Sequence, residues 1–568
     1  MAEATKETAA QRVERLKREK NAWECMDEIR GFARNGFDSI PPEWLGTYFR
    51  TWGVYTQGDG AGAVGGVGGQ GKAAPYLMVR IRVPNGVLRS NQVRALAEVT
   101  ERYARGIADI TVRQNFQLHW VTIESLPEIF ETLWRNGLTT VGACGDVIRN
   151  IVGCPLAGVD EDEIYDASPI VEEASKLFVW NNQYYNLPRK FKIAITGCSV
   201  WCSYPEINDI GLTALKRKRA SGDEIGFSIR VGGGLSTNPH FARRLNAFVA
   251  RDQVIPVLKG VAEIFRGSDE LRESRERARL KFLFLRQGWD EDSFLAELHS
   301  RIGFRLDQAE PEDAPADTLR DHVGVHQQKQ PGLYYVGASV LRGRVTASQL
   351  RAAANIAEEF GSGDLRTTSM QNLLIINVPK KNVVAVADWL NLHGLPTEGS
   401  SFHRGTVACT GTEFCKLAIT ETKDFARWLT EELDERLPGF DEQLKLHVTG
   451  CPNSCGQHWI ADIGLEGKKL KVDGRMVDAY YFCVGGGVGQ FQQFARPVGY
   501  RCASTEVPDA ISRLLREFNQ NRSESGENLR QFLQRHSTDQ IRGWLAGELV
   551  AAAARDLPSG QVPHGVEG

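Results

Sequence analysis

The sequence predicts an α+β protein built by internal duplication, with two small half-domains and two larger α/β lobes. QVRALA, from Gln92, returns as QLRAAA 257 residues later at Gln349, and RQNFQLHWV, from Arg113, returns as MQNLLIINV at the same distance. TGC, from Thr196, and VGGG, from Val231, both return 253 residues later. Matched blocks in the same order and at a nearly constant offset indicate a tandem duplication.

Length and composition agree with a multi-lobed protein of ordinary globular type. The chain has 568 residues, too many for one core, and is 42% hydrophobic and 24% charged. A formal net charge of −3 argues against bulk binding to nucleic acid or to an anionic membrane. The start is charged and no apolar run approaches the roughly 20 residues of a membrane helix, so we expect a cytoplasmic protein. We also expect a monomer.

The first repeat follows an N-terminal helical extension and glycine-rich loop, residues 1–72. YLMVRIRVPNG predicts a strand and turn, SNQVRALAEVTERYA an amphipathic helix, ADITVRQNFQLHWV a strand, and SLPEIFETLWRNG a second helix. This half-domain covers 73–139, and its copy covers 326–398. We expect the halves to pack together, because each alone would leave a sheet edge open.

A larger α/β lobe follows each half-domain, at 140–325 and at 399–525. The acidic, proline-bearing stretch HSRIGFRLDQAEPEDAPADTLRD closes the first lobe and is typical of a linker. Residues 526–568 predict a C-terminal helix and a frayed tail.

Four cysteines of the second lobe have ligand-like spacing. Cys409 and Cys415 form C-x5-C, and Cys451 and Cys455 form C-x3-C. Four thiolates from two loops can hold a cubane iron–sulfur cluster. Zinc is the alternative, although C-x5-C fits zinc spacing poorly, and buried inert thiols are the simplest alternative.

The blocks TGTEFCKLAITETK and TGCPNSCGQHWIADIGLEG, with the duplication around them, resemble the assimilatory nitrite and sulfite reductase family over residues 40–525. The resemblance implies that family's fold, with ferredoxin-like half-domains and two lobes around one centre of sirohaem and a 4Fe–4S cluster. By this match Cys409, Cys415, Cys451 and Cys455 ligate the cluster, and Cys455 also bridges to the sirohaem iron. A shared thiolate would couple the electron store directly to the iron that binds substrate.

The first repeat keeps only part of this cysteine pattern. Cys198 and Cys202 match the C-x3-C pair, and GCPLAG, with Cys154, resembles FCKLAI, with Cys415. At that offset the partner of Cys409 would be Ile148, so one ligand is missing. We therefore expect one cluster and a degenerate copy, with Cys144 as a spare thiol that could complete a second site.

The resemblance also implies an anion pocket, formed by Arg80, Arg149, Lys190 and Lys192. Read as a strand, Lys190 and Lys192 point to the same side, so both ammonium groups could face one ligand. A solvated strand face is the alternative for an isolated K-x-K. A small oxyanion that loses its oxygens as water needs charge neutralisation and nearby proton donors, which lysine and arginine supply.

Further cofactor contacts follow from the same match. Arg113 and Gln117 would contact sirohaem and its carboxylates, while their copies Met370 and Leu374 are apolar, which indicates one cofactor held asymmetrically. The two GGG turns could offer backbone N–H groups to these carboxylates. The glycines concerned are Gly232, Gly233, Gly485 and Gly486.

Lys192 favours sulfite reduction to sulfide, because nitrite-type members usually carry asparagine at this position and sulfite can present the larger charge. Reduction of nitrite to ammonia is the alternative. GVGGQGKA and CVGGGVGQ are incomplete nucleotide motifs, so electrons should come from a partner, and the family expectation is ferredoxin. A remote alternative is an iron–sulfur electron-transfer protein without sirohaem.

Overall fold

The structure is a computed structural model that describes residues 7–57, 75–220, 222–312, 319–523 and 526–548. The predicted glycine-rich loop and C-terminal tail lie almost wholly outside these ranges. None of the described helices has the length and apolar character needed to cross a membrane.

The helices and strands repeat in the same order in both halves of the chain. The N-terminal extension and first half-domain contain α1 (Ala9–Glu19), α2 (Met26–Asn35), α3 (Pro42–Gly46), α4 (Tyr48–Thr51), β1 (Val54–Thr56), β2 (Leu77–Ile81), β3 (Val87–Arg89), α5 (Ser90–Tyr103), β4 (Ile107–Ile110), β5 (Phe116–Val121) and α6 (Leu126–Arg135). The first lobe contains β6 (Val152–Gly153), α7 (Ser168–Val179), β7 (Ile193–Thr196), β8 (Ile210–Arg219), β9 (Gly222–Val231), β10 (Arg243–Ala250), α8 (Val254–Gly267), α9 (Lys281–Arg286) and α10 (Glu291–Ile302).

The second repeat begins after the linker. Its half-domain contains β11 (Gly324–Gln327), β12 (Leu333–Ala338), β13 (Arg344–Thr346), α11 (Ala347–Phe360), β14 (Asp364–Thr367), β15 (Leu373–Pro379) and α12 (Val383–Leu392). Its lobe and the C-terminal helices contain α13 (Ser401–Gly405), β16 (Thr406–Ala408), α14 (Lys423–Arg436), β17 (Leu446–Thr449), β18 (Ile463–Val472), β19 (Arg475–Val484), β20 (Arg496–Ala503), α15 (Val507–Asn521), α16 (Leu529–Arg535) and α17 (Thr538–Ala546).

The two half-domains exchange strands. One sheet has the order β1-β2-β5-β4-β13 and the other has the order β11-β12-β15-β14-β3, so each half-domain adds its short strand to the sheet of the other. β13 pairs antiparallel with β4, with Val345 opposite Ala108, and β3 pairs antiparallel with β14, with Leu88 opposite Leu365. The expected packing of the halves is confirmed, and it closes sheet edges that each half alone would expose.

The helices of the half-domains also pack against each other across this junction. The Arg94 guanidinium on α5 donates to Glu358 Oε1 on α11 at 2.8 Å, and Arg351 on α11 pairs with Glu101 on α5. One continuous apolar core lies beneath these helices and includes Leu96 and Leu350. The half-domains are therefore one packing unit.

One predicted strand is in fact two. ADITVRQNFQLHWV forms β4 and β5, which pair antiparallel after a tight turn. In that turn the Thr111 N–H donates to the Asn115 carbonyl at 2.9 Å, and Gln114 takes a left-handed φ of 61°. The prediction of a single strand is wrong because this apolar alternation contains no glycine or proline to mark the turn.

The two lobes have the same sheet topology. Their strand orders are β10-β9-β8-β7-β6 and β20-β19-β18-β17-β16. In each sheet the first three strands along the chain run parallel to one another. The fourth strand pairs antiparallel with the third, and the fifth pairs antiparallel with the fourth. The loops after the first and second strands therefore emerge at the same edge, where the cysteines of each repeat lie.

The linker is anchored to the first lobe as far as it is described. Arg217 on β8 pairs with Asp307 at 2.5 Å, and Arg230 on β9 pairs with Glu312 at 2.7 Å. The acidic residues of the predicted linker thus hold it on the β8–β9 hairpin.

Candidate active site

The four cysteines of the predicted cluster follow two neighbouring strands of the second lobe. Cys409 comes directly after β16, and Cys415 completes the same loop. Cys451 and Cys455 lie in the loop after β17, which runs parallel to β16. The Gly450 N–H donates to Cys409 Sγ at 3.2 Å and ties the two loops together.

Three of these thiols are sheltered and the fourth is open. Burial, reinforced by the Cys455 thiol, raises the pKa of Cys415 to about 11 and that of Cys451 to about 12. The same two causes raise the pKa of Cys409. All three thus lie within electrostatic reach of Cys455, which is exposed. Sheltered thiols of raised pKa become thiolate ligands when a cation compensates them, so this donor set fits a four-cysteine iron–sulfur cluster.

The predicted anion-binding residues come from three separate elements of the first repeat. Arg80 lies on β2, and Arg149 lies shortly before β6. Lys190 and Lys192 flank Phe191, which forms an isolated bridge, and β7 begins only at Ile193. The lysines therefore precede the strand that was predicted to carry them.

These cations lack acidic partners. The Arg80 guanidinium donates to Gln117 Oε1 at 3.1 Å and to Cys144 Sγ at 2.9 Å. Arg149 donates to two backbone carbonyl oxygens at 3.0 and 3.3 Å. Within the described ranges the ammonium groups of Lys190 and Lys192 have neither a hydrogen bond nor an ion pair.

The two lysines act electrostatically on each other and on the arginines around them. Burial and the nearby Arg279 lower the pKa of Lys190 to about 7. Burial, with Arg113, Arg279 and Lys190, lowers the pKa of Lys192 well below its ordinary value. Side chains that repel one another in this way need an anion to become fully charged.

The exposed cysteine lies within electrostatic reach of these cations. The pKa of Arg80 is raised, because Cys144, Tyr55 and Cys455 outweigh the opposing effect of burial. Cys455 also favours the charged form of Lys190. The structure therefore brings the end of the cluster loop and the anion pocket together.

Arg113 and Gln117 join the pocket to its surroundings. The Arg113 guanidinium donates to Asn208 Oδ1 at 2.8 Å and to the Asn150 carbonyl at 2.5 Å, and burial and Arg149 lower its pKa to about 9. Gln117 Nε2 donates to the Thr410 hydroxyl at 3.3 Å, next to Cys409. Arg113 thus contacts the first lobe, and Gln117 reaches the loop of Cys409 in the second lobe.

The glycine turns require a correction. The N–H groups of Gly232 and Gly233 donate to the carbonyls of Asp209 and Asn208, both at 2.9 Å, and those of Gly485 and Gly486 donate equivalently to Asp462 and Ala461. They are not free to bind carboxylates in this structure. Glycine is needed because Gly232 and Gly485 have φ values of 79° and 75°, and a Cβ on Gly233 would lie 2.5 Å from backbone oxygens.

Sequence reasoning missed two buried side chains at the edge of the pocket. Arg279 pairs with Asp209 at 2.8 Å, and the Asp209 carboxylate also accepts from the Lys192 N–H at 2.8 Å. By pairing with Asp209, Arg279 holds the carboxylate that accepts from the Lys192 N–H. Its charge also adds to the positive potential around the two lysines. It lies in a charge-rich stretch, RESRERARLK, whose composition gave no sign of burial.

The corresponding position of the second repeat is filled by apolar packing. Leu374, the copy of Gln117, is fully buried beside Cys154 and Cys198. Met370, the copy of Arg113, accepts a contact from the Tyr204 hydroxyl at 3.4 Å. This supports the expectation that one cofactor is held asymmetrically.

Two family models match the chain, each over two separate stretches. The nitrite and sulphite reductase 4Fe-4S domain matches residues 144–306 and 399–551. The nitrite/sulfite reductase ferredoxin-like half domain matches residues 69–134 and 326–392. The matches alternate along the chain in the order of the half-domains and lobes.

Named relatives span nearly the whole chain. The chain is 38% identical to the assimilatory ferredoxin-dependent nitrite reductase of Haloferax mediterranei, over 91% of this chain and 90% of the relative. It is 37% identical to sulfite reductase (ferredoxin) 1 of Mycolicibacterium paratuberculosis, over 90% and 92%. The solved structure of the Mycobacterium tuberculosis NirA protein superposes with a TM-score of 0.87 at 35% identity, covering 93% of this chain and 97% of that one.

Proposed function

The chain belongs to the nitrite and sulphite reductase family, and from this premise we propose that it reduces sulfite to sulfide with six electrons from reduced ferredoxin. Enzymes of this family are ferredoxin-dependent oxidoreductases that carry sirohaem and a 4Fe–4S cluster. The proposal concerns the substrate, the electron donor and the residues that act on them. We further propose a monomeric, cytoplasmic enzyme.

We assign the cluster to Cys409, Cys415, Cys451 and Cys455, with Cys455 as the ligand shared with sirohaem. In support, Cys455 is exposed and acts electrostatically on the other three thiols and on Arg80 and Lys190. When bound, the two cofactors supply the electron-transfer chemistry and the iron at which the oxyanion is held. Arg113 and Gln117 are the residues that we expect to contact sirohaem.

The observation that carries the proposal is the set of unpaired cations beside Cys455. Arg80, Arg149, Lys190 and Lys192 have no carboxylate partner among the described residues, and the lysines show lowered pKa values. Half-buried cations that lack acidic partners and repel one another are costly, and an anionic ligand would remove that cost. An iron–sulfur electron carrier without sirohaem would have no use for such a pocket.

The same side chains can also move protons. A bound oxyanion favours the charged form of Lys190, so the lysine holds a proton when substrate is present. As an oxygen leaves as water, Lys190 can donate that proton, and a pKa near 7 in the absence of an anion makes this transfer accessible at neutral pH. Arg80 and Arg149 neutralise the charge of the oxyanion.

Sulfite is favoured over nitrite by Lys192. A second cation next to Lys190 suits an anion that can carry two charges better than one that carries a single charge. Nitrite reduction to ammonia is the second candidate, because the relatives from Haloferax mediterranei and Leptolyngbya laminosa are named as nitrite reductases.

The test is anaerobic steady-state kinetics of the purified holoenzyme with each anion and reduced ferredoxin. We expect turnover with both anions and a higher kcat/KM for sulfite. A higher kcat/KM for nitrite would assign the enzyme to the second candidate. Absence of turnover with both, in protein that shows sirohaem absorption, would overturn the proposal.

A further inference from the structure

The structure changes which cysteine of the second repeat corresponds to Cys154 of the first. Cys154 comes directly after β6, as Cys409 comes directly after β16. Strand register agrees, because Gly153 pairs with Ile195 in the first lobe and Ala408 pairs with Val448 in the second. Cys154 is therefore the copy of Cys409, and the earlier match to Cys415 is wrong, since it rested on the likeness of GCPLAG to FCKLAI.

This register also identifies the residue at the fourth position. Cys415 lies six residues after Cys409, and the residue six positions after Cys154 is Asp160. The Cys154 thiol donates to Asp160 Oδ2 at 3.7 Å, so the carboxylate borders the thiols, although it does not lie within 4.8 Å of all three. The first repeat thus keeps three of the four thiols. At the fourth position it has a carboxylate, which metals also bind.

The three thiols are closely gathered. The Sγ atoms of Cys154, Cys198 and Cys202 all lie within 4.8 Å of one another, and in the described part of the chain they are the one group of three or more His, Cys, Asp or Glu side chains that meet this limit. The four cysteines of the second repeat are more widely spaced. Each thiolate of a four-iron cluster binds a different iron, so such a cluster needs the wider spacing.

The close spacing suits a single metal ion. Zinc–thiolate bonds of about 2.3 Å place the sulfurs of a tetrahedral site about 3.8 Å apart. Three sulfurs within 4.8 Å need only small movements to reach that geometry. The spacing C-x3-C of Cys198 and Cys202 also falls within the usual range for zinc.

We propose that the first repeat holds one structural zinc ion, bound by Cys154, Cys198 and Cys202, with Asp160 as the fourth ligand once its carboxylate turns towards the three sulfurs. Arg320 donates to both Asp160 oxygens, at 3.0 and 2.8 Å, and would orient the carboxylate and offset the negative charge of the site.

The surroundings give the ion a structural role and a route of entry. Cys154 and Cys198 pack against Tyr335 and Leu374 of the second half-domain, so the ion would fix the loops after β6 and β7 against that sheet. Cys202 lines a cavity of about 350 Å³ that lies between the two lobes. The ion can therefore reach the site from the cavity while the other two thiols stay buried.

The experiment measures zinc and iron by elemental analysis of purified holoenzyme. We expect about one zinc per chain in the wild type and less than a tenth of that in the double variant C198S/C202S, with iron content and sirohaem absorption unchanged. C502S, which changes a buried cysteine of β20, is the matched control and should keep the zinc. D160N should retain zinc but lose it faster to a chelator.

Three results would overturn the proposal. Wild-type enzyme with no zinc and three readily titrated thiols would show a cluster of free cysteines, and a disulfide found by mass spectrometry would exclude thiolate ligands. Loss of iron in C198S/C202S would show an iron–sulfur site instead. If the double variant does not fold, cobalt substitution of the wild type still tests the site, because a tetrahedral thiolate site gives intense thiolate-to-cobalt absorption and its absence would count against the proposal.

Discussion

Lys190 and Lys192 show how single residues define this site. Each side chain is half-buried beside other cations, and Asp209, the acidic group close to them, is already paired with Arg279 at 2.8 Å. The folded chain therefore bears an electrostatic cost that an anion would remove.

Lys192→Asn should lower kcat/KM for sulfite more than for nitrite. Loss of a cation near a largely desolvated anion costs roughly 1–3 kcal/mol, or about one to two decades in kcat/KM. Nitrite carries less charge, and the amide can still donate a hydrogen bond to it. Arg149→Lys is the comparison, because it should lower both activities together. Equal losses for both anions in Lys192→Asn would remove the basis for preferring sulfite.

Cys455→Ser should abolish nearly all activity and the spectroscopic coupling between sirohaem and the cluster, because it removes the ligand that we propose the two cofactors share. Absorption and electron paramagnetic resonance spectra of the variant test the coupling independently of turnover. Cys502→Ser, another cysteine of the same lobe, should leave both unchanged. A coupled spectrum in Cys455→Ser would show that another residue bridges the cofactors.

Lys190 should make the stability of sirohaem-free protein depend on pH. Its pKa is about 7 in the folded chain and near 10.5 when unfolded, so between these values the unfolded chain binds more protons. The free energy of unfolding should therefore increase as the pH rises from 7 towards 10, and decrease again as the pH is lowered over the same range. With an allowance for partial exposure, we expect roughly 1–2 kcal/mol between pH 7 and 9 in urea unfolding.

Lys190→Met should show a smaller rise over the same range, whereas Lys176→Met, which removes an exposed lysine of α7, should match the wild type. An identical pH dependence in Lys190→Met and wild type would mean that Lys190 keeps its proton in the folded chain.

Among the helices and strands, the two strands that the half-domains exchange determine how the repeats are joined. β13 brings Arg344 onto β4 of the other half-domain, where its guanidinium donates to Asp109 Oδ1 at 2.9 Å. His119 Nε2 lies 3.1 Å from Asp109 Oδ2, and Lys423 lies 3.8 Å from Oδ1. Burial would raise the pKa of Asp109, but Lys423 and Arg344 hold it well below its usual range. A buried charge network thus fixes the exchanged strand.

Asp109→Asn should destabilise the protein by about 3 kcal/mol, because it leaves Lys423 buried without its carboxylate and leaves Arg344 paired with Glu413 alone. The free energy of unfolding in urea measures this loss. Glu101→Gln also removes an acid that pairs the two half-domains, but on an exposed face, and should cost less than about 0.5 kcal/mol. Similar effects of both substitutions would show that the buried network does not stabilise the exchange.

The sequence predicted the elements that have strong periodicity and the loops that contain cysteine. It did not predict the exchange, because β3 and β13 have three residues each and their partners are remote in the chain. It also paired Cys154 with Cys415, since local likeness in letters cannot reveal strand register, whereas the pairing of Gly153 with Ile195 does. Arg279 was missed because its burial depends on the lobe as a whole.

At the scale of the whole molecule, the duplication gives two similar frames with different contents. The first half-domain faces the cysteine loops of the second lobe through Gln117 and Thr410, and the second half-domain faces those of the first lobe through Leu374. Polar groups line the first junction and apolar groups fill the second. Duplication therefore supplied one polar junction, where we propose the active site, and one apolar junction.

Because each repeat completes the sheet of the other, neither should fold alone. We expect a fragment of residues 7–312 to lack cooperative urea unfolding, since β4 loses β13 and Asp109 loses Arg344. Residues 319–548 should behave likewise, because β14 loses β3.

Co-expression of the two fragments should restore a 1:1 complex, seen by size-exclusion chromatography, with the circular dichroism spectrum of the intact chain. As a control, a complex in which the first fragment carries L88D, a charge at the β3–β14 pairing, should not assemble. A monomeric fragment 7–312 that unfolds cooperatively would show that the exchanged strands are dispensable for folding.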